Sequence, residues 1–159
     1  MPLSNCEVGG GIAPIPELLE QDVSISLGSD GYINDMFEVM RGAFLIHKAR
    51  LQDPGTMLAD QVFEMATLQG AKALGLDNVG ALEPGFVADL QLIDANFPTP
   101  LSEENLIEQV ILHRSGNHVD SVMIDGVWKL KNGEILGVDL EKQRESIHRQ
   151  AKRLWGENE

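Results

Sequence analysis

The feature that most constrains this chain is a short apolar run that ends abruptly in a turn. Val23-Ser24-Ile25-Ser26-Leu27 alternates apolar and small residues, so it reads as a strand that can be buried on both faces. Gly28-Ser29-Asp30-Gly31 ends it at once. From about Asn34 to Leu51 the residues Met36, Phe37, Met40 and Phe44, with His47 and Lys48, recur at helical spacing. Asn34 or Asp35 supplies the cap. A buried strand that ends in an acid-bearing turn and leads into a helix is where α/β proteins hold side chains for chemistry. Asp30 is therefore the candidate functional residue. The local alternative is a carboxylate that only caps the helix or shapes the turn.

The flanks extend this pattern. Residues 1–13 carry Gly9-Gly10-Gly11 and no periodicity, which predicts a loop. A domain seldom opens on a loop, so the first residue is expected to be a cut point. Residues 16–20 read as a short helix with proline in its first turn. A second helix is expected over residues 58–74, with Val62, Phe63, Ala66, Ala73 and Leu74 inward and Gly75 at its end. The character then changes. Residues 88–94 read as a strand and 105–114 as a short helix. Residues 119–124 and 127–131 form a hairpin about Asp125-Gly126, the favoured two-residue turn. Asn132-Gly133 turns into residues 134–136, and residues 140–155 form a terminal helix. The predicted organisation is α/β over 1–80, mostly antiparallel β over 81–139, and a helical segment over 140–159.

Composition narrows the function classes. With 159 residues the chain is one ordinary domain or parts of two. A net charge of −13 argues against nucleic acid, whose phosphates demand a basic face. The late basic residues Lys142, Arg144, Arg149, Lys152 and Arg153 alternate with acids, as on a solvated helix face. No apolar run approaches the roughly 20 residues needed to cross a bilayer, so no membrane partner is expected. A single cysteine, Cys6, forms no internal disulfide and fits a cytoplasmic location. Cys6 is expected to be a small packing residue, Asn5 a loop anchor and Ser29 a support for the turn. His113 and His118 are expected at the surface, since a zinc site wants about three or four good ligands. The glycine run lacks the context of a phosphate loop, and no Ser/His/Asp arrangement is apparent.

Three segments together carry a family resemblance: Leu27-Gly28-Ser29-Asp30-Gly31, Met65-Ala66-Thr67-Leu68-Gln69-Gly70-Ala71-Lys72-Ala73-Leu74-Gly75-Leu76, and Gly80-Ala81-Leu82-Glu83-Pro84-Gly85-Phe86-Val87-Ala88-Asp89-Leu90. In order and spacing they resemble the C-terminal part of the metal-dependent amidohydrolases. The nearest branch is the aminohydrolase/chlorohydrolase group, with its guanine and cytosine deaminases and triazine hydrolases. The opening Pro2-Leu3-Ser4-Asn5 resembles a segment of the same group.

The resemblance implies a C-terminal fragment of a distorted TIM barrel, an α/β unit in which residues 23–27 are strand eight and the next helices close the barrel. Part of a small β-sandwich and a terminal helix would follow. It also implies that Asp30 is both metal ligand and catalytic proton carrier. Zinc or iron would be bound in the intact enzyme and none by this chain alone. The family's other ligands include a His-x-His pair; His47, His113, His118 and His148 make no such pair, which points to a missing N-terminal segment as partner. The implied function is hydrolysis of a C–N or C–Cl bond of a small heterocyclic substrate, by a deaminase or chlorohydrolase of which this chain alone is inactive. The alternative is a non-catalytic truncated paralogue or association module. A lone barrel strand and half a sandwich leave edges and apolar faces open, so a homo-oligomer is expected.

Overall fold

The computed structural model describes residues 1–31 and 33–156; Tyr32, in the predicted turn after Asp30, and residues 157–159, in the terminal segment, lie outside them. The order is α1 (Pro2–Glu7), α2 (Ile15–Leu19), α3 (Met36–Leu51), α4 (Ala59–Ala66), α5 (Leu68–Ala73), β1 (Leu90–Ile93), α6 (Leu106–His113), β2 (Val119–Ile124), β3 (Val127–Lys131), β4 (Glu134–Ile135) and α7 (Leu140–Trp155). Among the described residues no helix is long and apolar enough to cross a membrane.

The core lies where α3, α4 and α6 meet. Phe37, Met40, Ala43 and Phe44 from α3 pack with Val62 and Met65 from α4, Val110 and Ile111 from α6, and Met57. Of the stripe read from the sequence, Phe37, Met40, Phe44 and His47 are on the buried face of α3, together with Val39 and Ala43, whereas Met36 at the first turn is exposed and Lys48 half-buried. Asp35 is its cap: Oδ1 accepts from the Phe37 N–H at 2.9 Å. Oδ2 of the same carboxylate accepts from the Gly116 N–H at 2.8 Å and so ties α3 to the loop before β2. Arg41 fixes α3 to the end of α6. Its Nε donates to the Ile111 carbonyl at 3.0 Å and its Nη2 to the Arg114 carbonyl at 2.6 Å, a cation placed on the carbonyls that a helix end leaves free.

The four strands form one antiparallel sheet in the order β1-β2-β3-β4. Asp125 and Gly126 make the β2–β3 turn with φ of 51° and 71°, the left-handed pair that an Asp-Gly hairpin uses. The sheet buries little of its own surface; Ser121 is its one buried residue among those described. α7 occupies the predicted span and buries none of its residues.

Four expectations for the helical part change. Residues 1–13 are not all loop, because Pro2–Glu7 is a helix with proline at its start; a turn and a half is too short to show periodicity. Cys6 is exposed rather than packed: Ser4 is the buried side chain of that helix, and a residue two positions on points elsewhere. The helix expected over 58–74 is two helices, broken at Thr67, whose φ of −123° and ψ of −94° leave the helical region. Ala73 and Leu74, expected inward, are both exposed.

Residues 23–27 remain extended but lie in no ladder among the described residues. A strand exists through its neighbours; this segment is instead tied to the helices, by the Val23 N–H donating to the Leu18 carbonyl at 3.1 Å, the Ser24 hydroxyl to Gln69 Oε1 at 3.1 Å and the Leu27 N–H to the Met65 carbonyl at 3.1 Å.

Candidate active site

Asp30 stands at the end of that extended segment, exposed, with φ of 59°. The left-handed conformation favours glycine, and aspartate is among the few side chains that tolerate it. The turn is built to hold it. The Ser29 hydroxyl donates to the Asp30 carbonyl at 3.2 Å, in line with the turn-supporting role read from the sequence. The Gly31 N–H donates to Oδ1 at 2.7 Å. The Ser4 hydroxyl, 26 residues away in sequence and on α1, donates to Oδ2 at 2.9 Å. The Gly31 N–H first and the Ser4 hydroxyl second hold this carboxyl below the usual carboxylate range. Asp30 is thus an ionised carboxylate at neutral pH, fixed by a donor on each oxygen.

The other sequence candidates do not join it. Asn34 is exposed beyond the turn, and Asp35 is committed to capping α3. Asn5, expected as a loop anchor, lies inside α1. His113 is exposed; His118 is half-buried, with Nδ1 accepting from the Ser115 N–H at 3.1 Å. His148 is on α7 and His47 is buried on α3. A cavity of about 50 Å³ between α1, α3 and the extended segment is lined by Asn5, Ile15, Ile25, Leu27, His47 and Met65 among others, and Asp30 is outside that lining.

A metal centre wants about three or four protein ligands. Among the described residues no group of three His, Cys, Asp or Glu side chains comes together. The residues present therefore do not make a metal centre by themselves; Asp30 fits such a centre only as one carboxylate. Ser4 is the group that the sequence reading missed. Its segment shares in the family resemblance, but no local pattern shows which distant carboxylate a hydroxyl will meet.

Comparison with known proteins follows the same line. The model of the amidohydrolase family matches residues 1–129. The chain is 40% identical over 157 residues to the 5'-deoxyadenosine deaminase of Methanococcus aeolicus, covering 96% of this chain and 36% of that protein. It is 38% identical over 157 residues to the 5-methylthioadenosine/S-adenosylhomocysteine deaminase of Pelotomaculum thermopropionicum, with the same two coverages of 96% and 36%. Among solved structures, an adenosine deaminase from Xanthomonas campestris with bound zinc superposes with a TM-score of 0.90 at 29% identity, over 98% of this chain and 36% of that one. The chain spans about a third of the length of the curated relatives it matches. A helical and antiparallel-sheet chain with an anchored acid after its first extended segment, matched over residues 1–129, belongs to the amidohydrolase family.

Proposed function

We propose that this chain is the C-terminal part of a zinc-dependent deaminase that hydrolyses the exocyclic C–N bond of an adenine-type nucleoside, and that Asp30 is its proton-carrying carboxylate and one metal ligand. The observation that carries the reading is Asp30 itself, ionised and clamped on both oxygens. The adenosine-type deaminases among the relatives support the substrate class, and the zinc-bound relative supports the metal. On this reading residues 1–80 end the barrel with residues 23–27 as its last strand, 81–139 form part of a sandwich and 140–159 a terminal segment. The other metal ligands belong to the part of the relatives that this chain does not span.

A bound divalent ion supplies electrostatic activation of water in such enzymes. What this chain supplies is the carboxylate. An ionised Asp30 can take a proton from the attacking water and return it to the departing amino group, which leaves as ammonia while the ring keeps the oxygen.

The test joins this chain, in solution with zinc, to the part of the Methanococcus aeolicus deaminase that it does not span. Ammonia release from 5'-deoxyadenosine is measured. The expected result is turnover that Asp30→Asn lowers by about 10²–10⁴-fold. No release from any 6-aminopurine nucleoside, or an Asp30→Asn rate equal to the wild-type rate, sinks the proposal.

A further inference from the structure

We propose that Ser4 is a positioning residue for Asp30, the one group among the described residues that fixes the carboxylate relative to the body of the protein rather than to its own turn; the assignment rests on the deaminase reading above. The Gly31 N–H that holds Oδ1 is on the next residue and moves with Asp30. The Ser29 hydroxyl reaches only the Asp30 backbone. Ser4 is different: it is buried, it belongs to another element, and its hydroxyl proton goes to Oδ2 at 2.9 Å. A carboxylate has about four lone-pair sites, and two donors leave about two for the chemistry. The clamp therefore orients Asp30 without using it up.

The placement of Ser4 is itself built into the core. α1 lies on α3 at Gly42, where an added Cβ would stand 2.7 Å from Leu3 Cδ2 and 2.8 Å from Leu3 Cγ. Leu3 immediately precedes Ser4. Backbone bonds from Asn5 N to the Met1 carbonyl at 3.2 Å and from Val8 N to the Ser4 carbonyl at 3.1 Å fix the register of the helix. Gly42 thus permits the close approach that brings the hydroxyl to Asp30, from a position that does not touch the carboxylate.

Three substitutions test this: Ser4→Ala removes the donor, Ser4→Thr keeps it, and Gly42→Ala keeps every polar group but sets a methyl against the Leu3 side chain, so that Leu3 and the seat of α1 on α3 must shift. In the zinc-loaded combined enzyme, Ser4→Ala is expected to lower kcat by up to about 10²-fold, the scale of a misplacement of about 1 Å, with KM within about twofold. Ser4→Thr is expected to restore most of the rate, and Gly42→Ala to resemble Ser4→Ala. An unchanged kcat in Ser4→Ala, with an active wild type, overturns the proposal. So does an equal loss in Ser4→Ala and Ser4→Thr, which marks a merely structural contact.

A second readout needs no turnover. Side-chain couplings of Asp30 in the 159-residue chain are expected to report one rotamer in the wild type and Ser4→Thr, and averaged rotamers in Ser4→Ala. If the wild-type combined enzyme is inactive, the deaminase reading fails, and these couplings still decide whether Ser4 positions Asp30. A single rotamer in Ser4→Ala overturns that claim.

Discussion

The helices and the sheet of this chain bury their apolar side chains in opposite ways. α3, α4 and α6 close on one another, and Val39, Val62 and Ile111 are all but inaccessible. The sheet has little cover: Ile93 and Val119 at one end reach the helical core, but Leu92, Ile124, Val127 and Ile135 are exposed. α7 goes further: Leu140, Ile147 and Leu154 recur every seven residues along it, and all are exposed. Sequence pattern alone does not separate these cases, because an amphipathic element carries the same signal whether or not its partner surface is on the same chain. The helical part is organised around its own core, and the candidate acid is attached to that part.

Substitution of one apolar residue in each region, buried in the helices and exposed on the sheet, puts this contrast to its largest test. Ile111→Ala opens a cavity between α3, α4 and α6 and is expected to destabilise the fold by about 2–5 kcal/mol. Val127→Thr on β3 changes a side chain that is 55% exposed and is expected to shift stability by no more than about 0.5 kcal/mol. Urea unfolding followed by circular dichroism measures both. Comparable losses would mean that the sheet has a core of its own, and the contrast would fail.

A smaller effect is expected at the junction of the two regions. Asp35 caps α3 through Oδ1 and holds the Gly116 N–H through Oδ2. Asp35→Ala removes both and is expected to cost about 1–2 kcal/mol. Asp35→Asn keeps a good cap on α3 but offers an N–H where Gly116 needs an acceptor. It is expected to retain most of the stability while the Gly116 amide exchanges faster with solvent. Equal exchange in Asp35→Asn and the wild type would show that the loop before β2 is held without this carboxylate.

The same residues show what was legible beforehand. Asp35, the α3 stripe, the Asp125-Gly126 hairpin and the span of α7 are local signals: cap, period and turn chemistry within a few residues. Asp30 was legible for the same reason, as an acid in a turn after an apolar run. Its clamp was not, because the Ser4 hydroxyl comes from 26 residues away. Nor was the break at Thr67, because one threonine between Ala66 and Leu68 is only a weak local signal against a continuous helix. Nor was the missing ladder of residues 23–27, since alternation tells which faces a strand offers and not whether a neighbour is there to pair with it.

The smallest expected effect lies wholly within the helical part and is read with pH. Glu17 on α2 accepts from Arg50 on α3 through both oxygens, Nη1 to Oε1 at 2.7 Å and Nη2 to Oε2 at 2.6 Å. This pairing, first of all causes, holds the Glu17 carboxyl down from 4.5 to about 2. His47, buried close by, is also held below its ordinary 6.5, first by burial, then by the Arg50 charge, while Glu17 acts the other way. Both groups bind a proton more readily in the unfolded chain, so both make stability fall as pH falls. The His47 contribution is present above about 6.5 and fades below it. The Glu17 contribution is present above about 4.5 and is lost as pH falls toward about 2. Because the Glu17–Arg50 pair is still reached by solvent, with side chains only half-buried, its share is modest and shrinks in salt. Glu17→Gln is expected to flatten the lower window. It also leaves the Arg50 charge unopposed beside His47, which steepens the upper one. Urea midpoints taken from pH 7.5 to 2.5 at low salt read both windows at once, and a Glu17→Gln profile parallel to the wild type throughout would show that the pair does not tie α2 to α3.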